Sequence, residues 1–321
     1  MKSMTSKFTS LFGGSRAGII VVIALLIILV IIGVAVSDRF GTSRNMLNVY
    51  EQSTGLALVS LGQTLSVLTG GIDLSVGSVI SLTSMLTSGL INGDQAMVVP
   101  VIAGVLVLGI LIGAVNGGII IVTGVHPLIV TLGTGAILQG IALLYGLGPI
   151  GKVPKSFDYF AYGRLPGGLS VGATFTVVLF VLVAFLLART RNGRYIYAVG
   201  DDPHAATLMG LPKSRIIMLV YMAVGFFAAL TGIYLVSRFG VGQPYTGANY
   251  TLSSITPVVV GGTMLAGGRG GVLGTLLGVY LVSLLSNLLN FLGVSTHLQL
   301  VAQGLVIIAA VSVYVEKRRI A

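Results

Sequence analysis

Long stretches without a charged residue constrain most strongly how this chain can fold. No Asp, Glu, Lys or Arg lies between Asp94 and Lys152, and none lies between Arg269 and Glu316. Each stretch is long enough for two helical spans of about 20 residues. The whole chain is 55% hydrophobic and only 8% charged, a composition that requires the bilayer as its solvent. We therefore expect a polytopic integral membrane protein.

The apolar segments are continuous and do not alternate with a period of two. Only helices and closed barrels satisfy every backbone hydrogen bond in hydrocarbon, and the strands of a barrel alternate. The pattern therefore predicts an all-α fold with a single transmembrane domain over residues 1–321. The uncharged runs predict about ten transmembrane helices, at 17–37, 54–70, 74–91, 97–122, 127–147, 169–188, 216–237, 251–266, 271–292 and 298–315.

The distribution of basic residues predicts that both termini are cytoplasmic, because the positive-inside rule places most Lys and Arg residues on that side. The net charge of +10 then reflects the membrane, and it gives no reason to expect a nucleic-acid partner. The predicted inside residues are Lys2, Lys7, Arg16, Arg189, Arg191, Arg194, Lys213, Arg215, Arg269, Lys317, Arg318 and Arg319. The predicted outside residues are Arg39, Arg44, Lys152, Lys155, Arg164 and Arg238.

Two loops are long enough to carry a function. Residues 148–168 are rich in Gly and Pro and are predicted to be periplasmic, whereas residues 189–215 are predicted to form a cytoplasmic loop. This arrangement indicates a multi-pass protein of the bacterial inner (cytoplasmic) membrane.

The residue types that serve catalysis or cofactor binding are sparse. The chain has no cysteine, and Gly151-Lys152 is followed by Val153, so there is no Walker loop to hold ATP. His126, His204 and His297 lie in three different loops, outside any hydrolase motif. We therefore expect no catalytic residue, no metal and no cofactor, with any ATP bound by a partner. A membrane-embedded enzyme would need a nucleophile and a base at one depth.

Asp73 is the acidic residue most closely flanked by apolar spans, and two interpretations of it stay open. An ionisable group at membrane depth is by default a functional candidate, and in a secondary carrier or channel working alone it would be the coupling-ion or proton site. In the other interpretation Asp73 is the N-cap of the third span, with Ser75 and Gly77 beside it, and its carboxylate satisfies backbone N–H groups.

Polar residues within the spans must face other helices or an aqueous path, because lipid cannot satisfy them. They are Gln63, Asn116, Thr131, Thr134, Gln139, Asn287, Asn290 and Gln303. Neutral amides and hydroxyls suit a neutral polyhydroxylated solute better than an anion. The predicted translocation-path residues are Asp73, Ser75, Asn116, Thr131, Thr134 and Gln139.

Glycines at four-residue spacing predict tight helix packing, because they leave one helix face open to a neighbouring backbone. The two sets are Gly109, Gly113, Gly117 and Gly270, Gly274, Gly278. A local likeness also links Gly70–Ser78 with Gly261–Thr275.

Three separated motifs occur in order along the chain. They are Thr69-Gly70-Gly71-Ile72-Asp73-Leu74-Ser75-Val76-Gly77-Ser78, then Asn192–Gly200 with Ala205-Ala206 and Gly210-Leu211, then Val260–Gly270 with Gly274-Thr275. Together they resemble the membrane subunits of ribose-type sugar ATP-binding-cassette importers, in a superfamily that also contains branched-chain amino-acid permeases. The resemblance covers nearly the whole chain.

This resemblance implies a partner-driven mechanism of alternating access. The loop from Asp201 to Leu211 is similar to the family's short coupling helix, which sits in a groove of a cytoplasmic ATPase. The implied coupling residues are Gly200, Asp201, Asp202, Ala205, Ala206, Gly210 and Leu211. Asp201 or Asp202 can cap a helix that starts at Pro203, and Gly210 can end it. The other implied partners are a periplasmic or extracellular sugar-binding protein and a second permease chain, identical or paralogous.

Overall fold

The computed structural model describes residues 15–314, and this part of the chain is helical. Within it, the only extended pairings are the isolated bridges Ile150–Gly242 and Arg164–Ser170, so the predicted all-α class is confirmed. The helices are α1 (Ser15–Val36), α2 (Ser43–Gln52), α3 (Thr54–Leu68), α4 (Val76–Ile91), α5 (Val98–Thr123), α6 (Pro127–Tyr145), α7 (Tyr159–Tyr162), α8 (Val171–Arg189), α9 (Arg191–Asp201), α10 (Pro203–Leu208), α11 (Lys213–Phe239), α12 (Tyr250–Ser253), α13 (Ile255–Val260), α14 (Val272–Phe291) and α15 (Thr296–Tyr314).

Among the described residues, six helices are long and apolar enough to cross a membrane, namely α1, α5, α6, α8, α11 and α14. The segments Thr54–Leu68, Val76–Ile91 and Tyr250–Val260 are apolar but shorter. The count of ten crossings and the orientation of the termini stay predictions. Of the basic residues used to predict that orientation, Lys2, Lys7, Lys317, Arg318 and Arg319 lie outside the described residues.

Helix α11 lies at the centre of the fold, where it packs against α3, α4 and α5. Its contact with α5 depends on small residues. A Cβ atom on Gly109 would lie 2.5 Å from the Gly225 carbonyl oxygen, and one on Gly113 would collide with the Tyr221 carbonyl. The predicted tight packing of this glycine face is therefore confirmed.

The second glycine set packs α14 against the segment that precedes it. A side chain on Gly274 would meet the backbone of Gly261, and one on Gly278 would meet the carbonyl of Pro257. These close approaches join α13 to α14 and confirm the predicted packing for Gly274 and Gly278. Gly270 precedes α14, with φ +120°, so its predicted place on the same helix face is wrong.

The predicted span 251–266 is not one helix. It forms α12 and α13, and α13 ends at Val260 because Gly262 takes a left-handed φ of +86°. The N–H of Thr263 then donates to the Val258 carbonyl at 3.0 Å, and this bond closes a glycine C-cap. The end of α3 has the same geometry, with Gly70 at φ +80° and the Gly71 N–H donating to Ser66 at 3.0 Å.

The two long loops lie at opposite ends of α11. Residues 189–215 lead into its first turn, whereas Ser237 and Arg238 in its last turn bond the other loop, through Phe157 and Tyr162. A helix of 27 residues is about 40 Å long, which exceeds a hydrocarbon core of about 30 Å. The loops are therefore far enough apart to lie on opposite faces of a membrane.

Candidate functional site

The segment from Asp201 to Leu211 contains a short helix with a cap at each end. The Asp202 carboxylate accepts hydrogen bonds from the N–H groups of His204, at 2.8 Å, and Ala205, at 2.9 Å. At the other end Gly210 takes φ +74°, and the Leu211 N–H donates to the Ala206 carbonyl at 3.0 Å. The predicted helix from Pro203 is thus confirmed, with Asp202 as its cap, while Asp201 ends α9.

The surface of α10 differs from the sequence-based expectation. Ala206 is fully buried in the main hydrophobic core of the chain, and Ala205 is half-buried. Ala206 therefore packs against its own chain and is not free to contact a partner. The exposed apolar residues are Leu208, at 76% exposure, and Met209, at 69%. Sequence reasoning missed both, although two large apolar residues in a polar loop were an available signal.

Gly200, near the end of α9, lies against two other loops. A Cβ atom there would collide with the Leu68 carbonyl oxygen and would lie 2.7 Å from the Gly268 nitrogen. The Gly268 N–H itself donates to the Leu68 carbonyl at 3.0 Å. The structure thus brings the three sequence motifs together at one point, through backbone contacts that require glycine.

Tyr197 adds a side-chain link to the same junction. Its hydroxyl donates to the Gly270 carbonyl at 3.1 Å, and burial raises the pKa of the phenol above its usual value. The phenol therefore stays a neutral donor. Beyond the junction, Thr64 on α3 and Thr275 on α14 form a hydrogen bond between their hydroxyls at 2.8 Å. Helices α3 and α14 are thus joined to α9 and to each other.

Asp73 is buried, with 2% of its surface exposed, and its carboxylate has partners within the chain. One oxygen accepts from the Ser75 N–H at 2.8 Å and from the Ser75 hydroxyl at 2.6 Å. The Asn116 amide donates to Ser75 at 3.0 Å and to the other carboxylate oxygen at 3.5 Å. The Gln63 amide, in the orientation that satisfies both of its ends, donates to the backbone carbonyl of Asp73 and accepts from its backbone N–H, both at 3.2 Å.

The N-cap prediction for Asp73 is wrong in position, since the N-cap of α4 is Ser75. The Asp73 carboxylate satisfies the Ser75 N–H just before the helix begins, so it organises the turn that leads into α4.

The other predicted path residues also bond to nearby backbone. Thr131 is buried, accepts from the Leu74 N–H at 3.0 Å, and so joins the Asp73 cluster. Thr134 donates to the Val130 carbonyl at 3.2 Å, and the Gln139 amide donates to Pro244 at 2.8 Å. The structure brings together Asp73, Ser75, Asn116 and Thr131, but Thr134 and Gln139 bond elsewhere. Among the described residues, no cluster of His, Asp and Glu side chains could hold a metal ion.

A separate cavity of about 270 Å³, lined by both polar and apolar residues, lies between α2, α3, α12, α14 and α15. Four of its lining residues are spaced i, i+3, i+4 and i+7 along α14 and thus share one helix face. The polar lining residues are Gln52, Asn249, Tyr250, Ser253, Ser283, Ser286, Asn287, Asn290 and Gln303. None of the predicted path residues lines this cavity. The polar stripe on α14 was the sequence signal that could have found it.

Comparison with known proteins agrees with this architecture. Residues 45–311 match the family described as "Branched-chain amino acid transport system / permease component". The chain is 38% identical over 296 residues to the ribose import permease protein RbsC of Escherichia coli (strain K12), covering 91% of each chain. It is 35% identical over 299 residues to the D-allose transport system permease protein AlsC of the same strain, covering 90% of this chain and 88% of the relative.

The fructose import permease protein FrcC of Rhizobium meliloti is 32% identical over 321 residues, covering 97% of this chain and 89% of the relative. Among solved structures, none matches this chain. The family match spans most of the chain, and all of these relatives are named as transport permeases. The chain therefore belongs to this permease family and is a multi-pass membrane transport subunit rather than an enzyme.

Proposed function

We propose that the chain is the permease subunit of an ATP-binding-cassette importer that moves a neutral monosaccharide into the cell. The relatives named for ribose, D-allose and fructose import support a sugar as the solute. In this account a separate ATPase binds and hydrolyses ATP, and the permease changes no covalent bond. The segment from Gly200 to Leu211, here called the coupling segment, receives the motion of that ATPase.

The exposure of Leu208, the last residue of α10, and of Met209, which follows it, is the observation that carries this proposal. Large apolar side chains side by side on a polar loop favour a protein partner. The caps at Asp202 and Gly210 hold the helix, so these side chains project from a fixed support. A groove on the ATPase is the partner surface that we assign to them.

The close packing around Gly200 allows motion at this docking site to be transmitted to the membrane helices. Displacement of α10 displaces the end of α9, and Gly200 leaves no space between α9 and the loops at Leu68 and Gly268. Those loops end α3 and precede α14, so both helices shift together. A rigid shift of this kind between two packed arrangements is how alternating access is driven.

The remaining partners follow from the separation of the two long loops. In the proposed orientation, in the bacterial inner membrane with both termini cytoplasmic, residues 189–215 face the ATPase. Residues 148–168 then face a periplasmic or extracellular sugar-binding protein. A second permease chain, identical or paralogous, completes the importer.

Co-purification with the ATPase tests the docking site. We expect Leu208→Asp to abolish recovery of the ATPase with the permease in detergent, because a carboxylate replaces an apolar contact. The matched control is Leu147→Asp, since Leu147 is 84% exposed but lies in the loop that follows α6, away from the coupling segment. Recovery of the ATPase with Leu208→Asp at the wild-type level would contradict the proposal.

Labelling tests the orientation independently. The chain has no cysteine, so Thr207→Cys introduces a single thiol on the exposed side of α10. We expect an impermeant maleimide to label this thiol in inverted vesicles and not in intact cells. Labelling in intact cells would place the coupling segment on the outer face of the membrane and would contradict the proposed orientation.

A further inference from the structure

We propose that the cavity between α2, α3, α12, α14 and α15 binds the solute during transport. This inference rests on the proposed function and adds the place where a neutral polyhydroxylated molecule is recognised.

The chemistry of the lining matches such a molecule. Among the described residues, the wall of the cavity presents amides, hydroxyls and apolar side chains and contains no Asp, Glu, Lys, Arg or His. Sugar hydroxyls both donate and accept, as amides do, whereas an anion is better held by a fixed positive charge. The apolar lining residues Val49, Leu56 and Val282 provide contact for the C–H faces of a sugar ring.

Internal hydrogen bonds hold part of the wall and leave bonding capacity for a ligand. Ser253 donates to the Gln303 carbonyl oxygen at 3.2 Å, and Gln299 donates to the Asn290 oxygen at 2.7 Å. A side-chain amide has two N–H donors and two acceptor lone pairs. Gln303 also donates to the Ser286 hydroxyl at 3.5 Å and so keeps one N–H group for a ligand, while Asn290 keeps its N–H groups.

The position of the cavity favours transport over simple packing. Ser283, Ser286 and Asn290 form a polar stripe on α14 that would be costly in contact with lipid, whereas Asn287 exchanges two amide hydrogen bonds with Asn45 of α2. Gly271, just before α14, lies next to Tyr197 of α9, the helix that leads into the coupling segment. Ser286 lies about 20 Å further along α14. The same helix thus links the coupling segment to the cavity.

The size of the cavity selects a small ligand. Its volume of about 270 Å³ is slightly below the usual range for ligand pockets, which is about 300–1,000 Å³. A single monosaccharide fits this scale better than a longer saccharide. The site is distinct from the buried cluster around Asp73, whose polar groups are mostly bonded to one another.

Solute protection of single cysteines tests the inference in the complete transporter with its ATPase and binding protein. Ser286→Cys and Asn290→Cys each place one thiol on the cavity wall. We expect a small water-soluble methanethiosulfonate to label both, and millimolar D-ribose, D-allose or D-fructose to slow labelling at least fivefold for the transported sugar. L-leucine should have no effect. Asn290 is exposed, so its variant keeps the test available if Ser286→Cys fails to fold.

Two controls separate occupancy from other causes. Val178→Cys lies on the exposed face of α8 and should not react, since that face contacts lipid. Thr123→Cys lies at the exposed end of α5, outside both loop 148–168 and the coupling segment, and should react at the same rate with or without sugar. The inference would be overturned if the cavity thiols did not react, or if no transported sugar slowed their labelling. Sugar uptake by the same complex would still support the proposed function. Failure of the wild-type complex to take up any sugar would instead contradict the proposed function.

Discussion

The backbone N–H of Gly268 donates a hydrogen bond to the carbonyl oxygen of Leu68 at 3.0 Å, beside the Cα atom of Gly200. This bond joins the end of α3 to the loop before α14 and sets both against the end of α9. Each of the three segments contributes backbone, so no side chain can be inserted between them. Motion at α10 therefore has a direct route to two membrane helices.

Gly200→Ala tests this route. The added Cβ atom would collide with the Leu68 carbonyl oxygen, and such overpacking costs about 1–3 kcal/mol. We expect a lower thermal-unfolding midpoint in detergent and loss of ATP-driven uptake. Gly104→Ala is the matched control, because no atom lies within 4 Å of its added Cβ, and it should keep both properties. Wild-type uptake by Gly200→Ala would show that this contact transmits nothing.

The contact between α5 and α11 gives a second prediction, about stability alone. Gly113→Ala places a methyl group on the Tyr221 carbonyl, so we expect a loss of about 1–3 kcal/mol in the free energy of unfolding. Gly118 lies on the same helix, but its added Cβ would be 3.8 Å from Met218. Gly118→Ala should therefore unfold like the wild type. Equal unfolding curves for the two variants would mean that α5 and α11 are not closely packed.

Asp73→Asn distinguishes a structural carboxylate from a transport residue. The change keeps one oxygen as an acceptor for Ser75 but replaces the oxygen that faces the Asn116 amide with an NH2 group, so two donors face each other. We expect a loss of about 1–3 kcal/mol in folding stability, with the ratio of uptake rates among sugars unchanged per folded chain. Asp94→Asn is the control, since Asp94 caps an exposed turn where Asn serves equally well. Unchanged stability with an altered sugar preference would place Asp73 on the path.

Local structure was largely predictable, because it depends on neighbours in the sequence. The start of α10 at Pro203, its cap at Asp202 and its end at Gly210 all follow from short-range preferences. The break after Val260 was missed, because the uncharged run that predicted the span continues past Gly261 and Gly262 to Ala266. The third span begins at Val76, because the Asp73 carboxylate bonds the Ser75 N–H before the helix starts.

The position of the candidate sites was less predictable, because it depends on which helix faces meet. The cavity combines Gln52, Ser253, Ser286 and Gln303, which belong to separate helices far apart in the sequence. Asn116 and Thr131 are also polar residues within apolar spans, yet the fold buries them in the hydrogen-bonded cluster around Asp73. Ala206, one of the implied coupling residues, likewise packs against its own chain, so the motif alone did not identify the exposed docking surface.

Reconstitution into liposomes tests most directly the central claim that a partner ATPase drives transport through the coupling segment. Vesicles that contain the permease, its ATPase and its binding protein should take up radiolabelled sugar only with ATP on the ATPase side, and Leu208→Asp should abolish that uptake. The permease alone should take up none under an ion or proton gradient. Gradient-driven uptake by the permease alone, lost on replacing Asp73, would contradict the account and establish a secondary carrier.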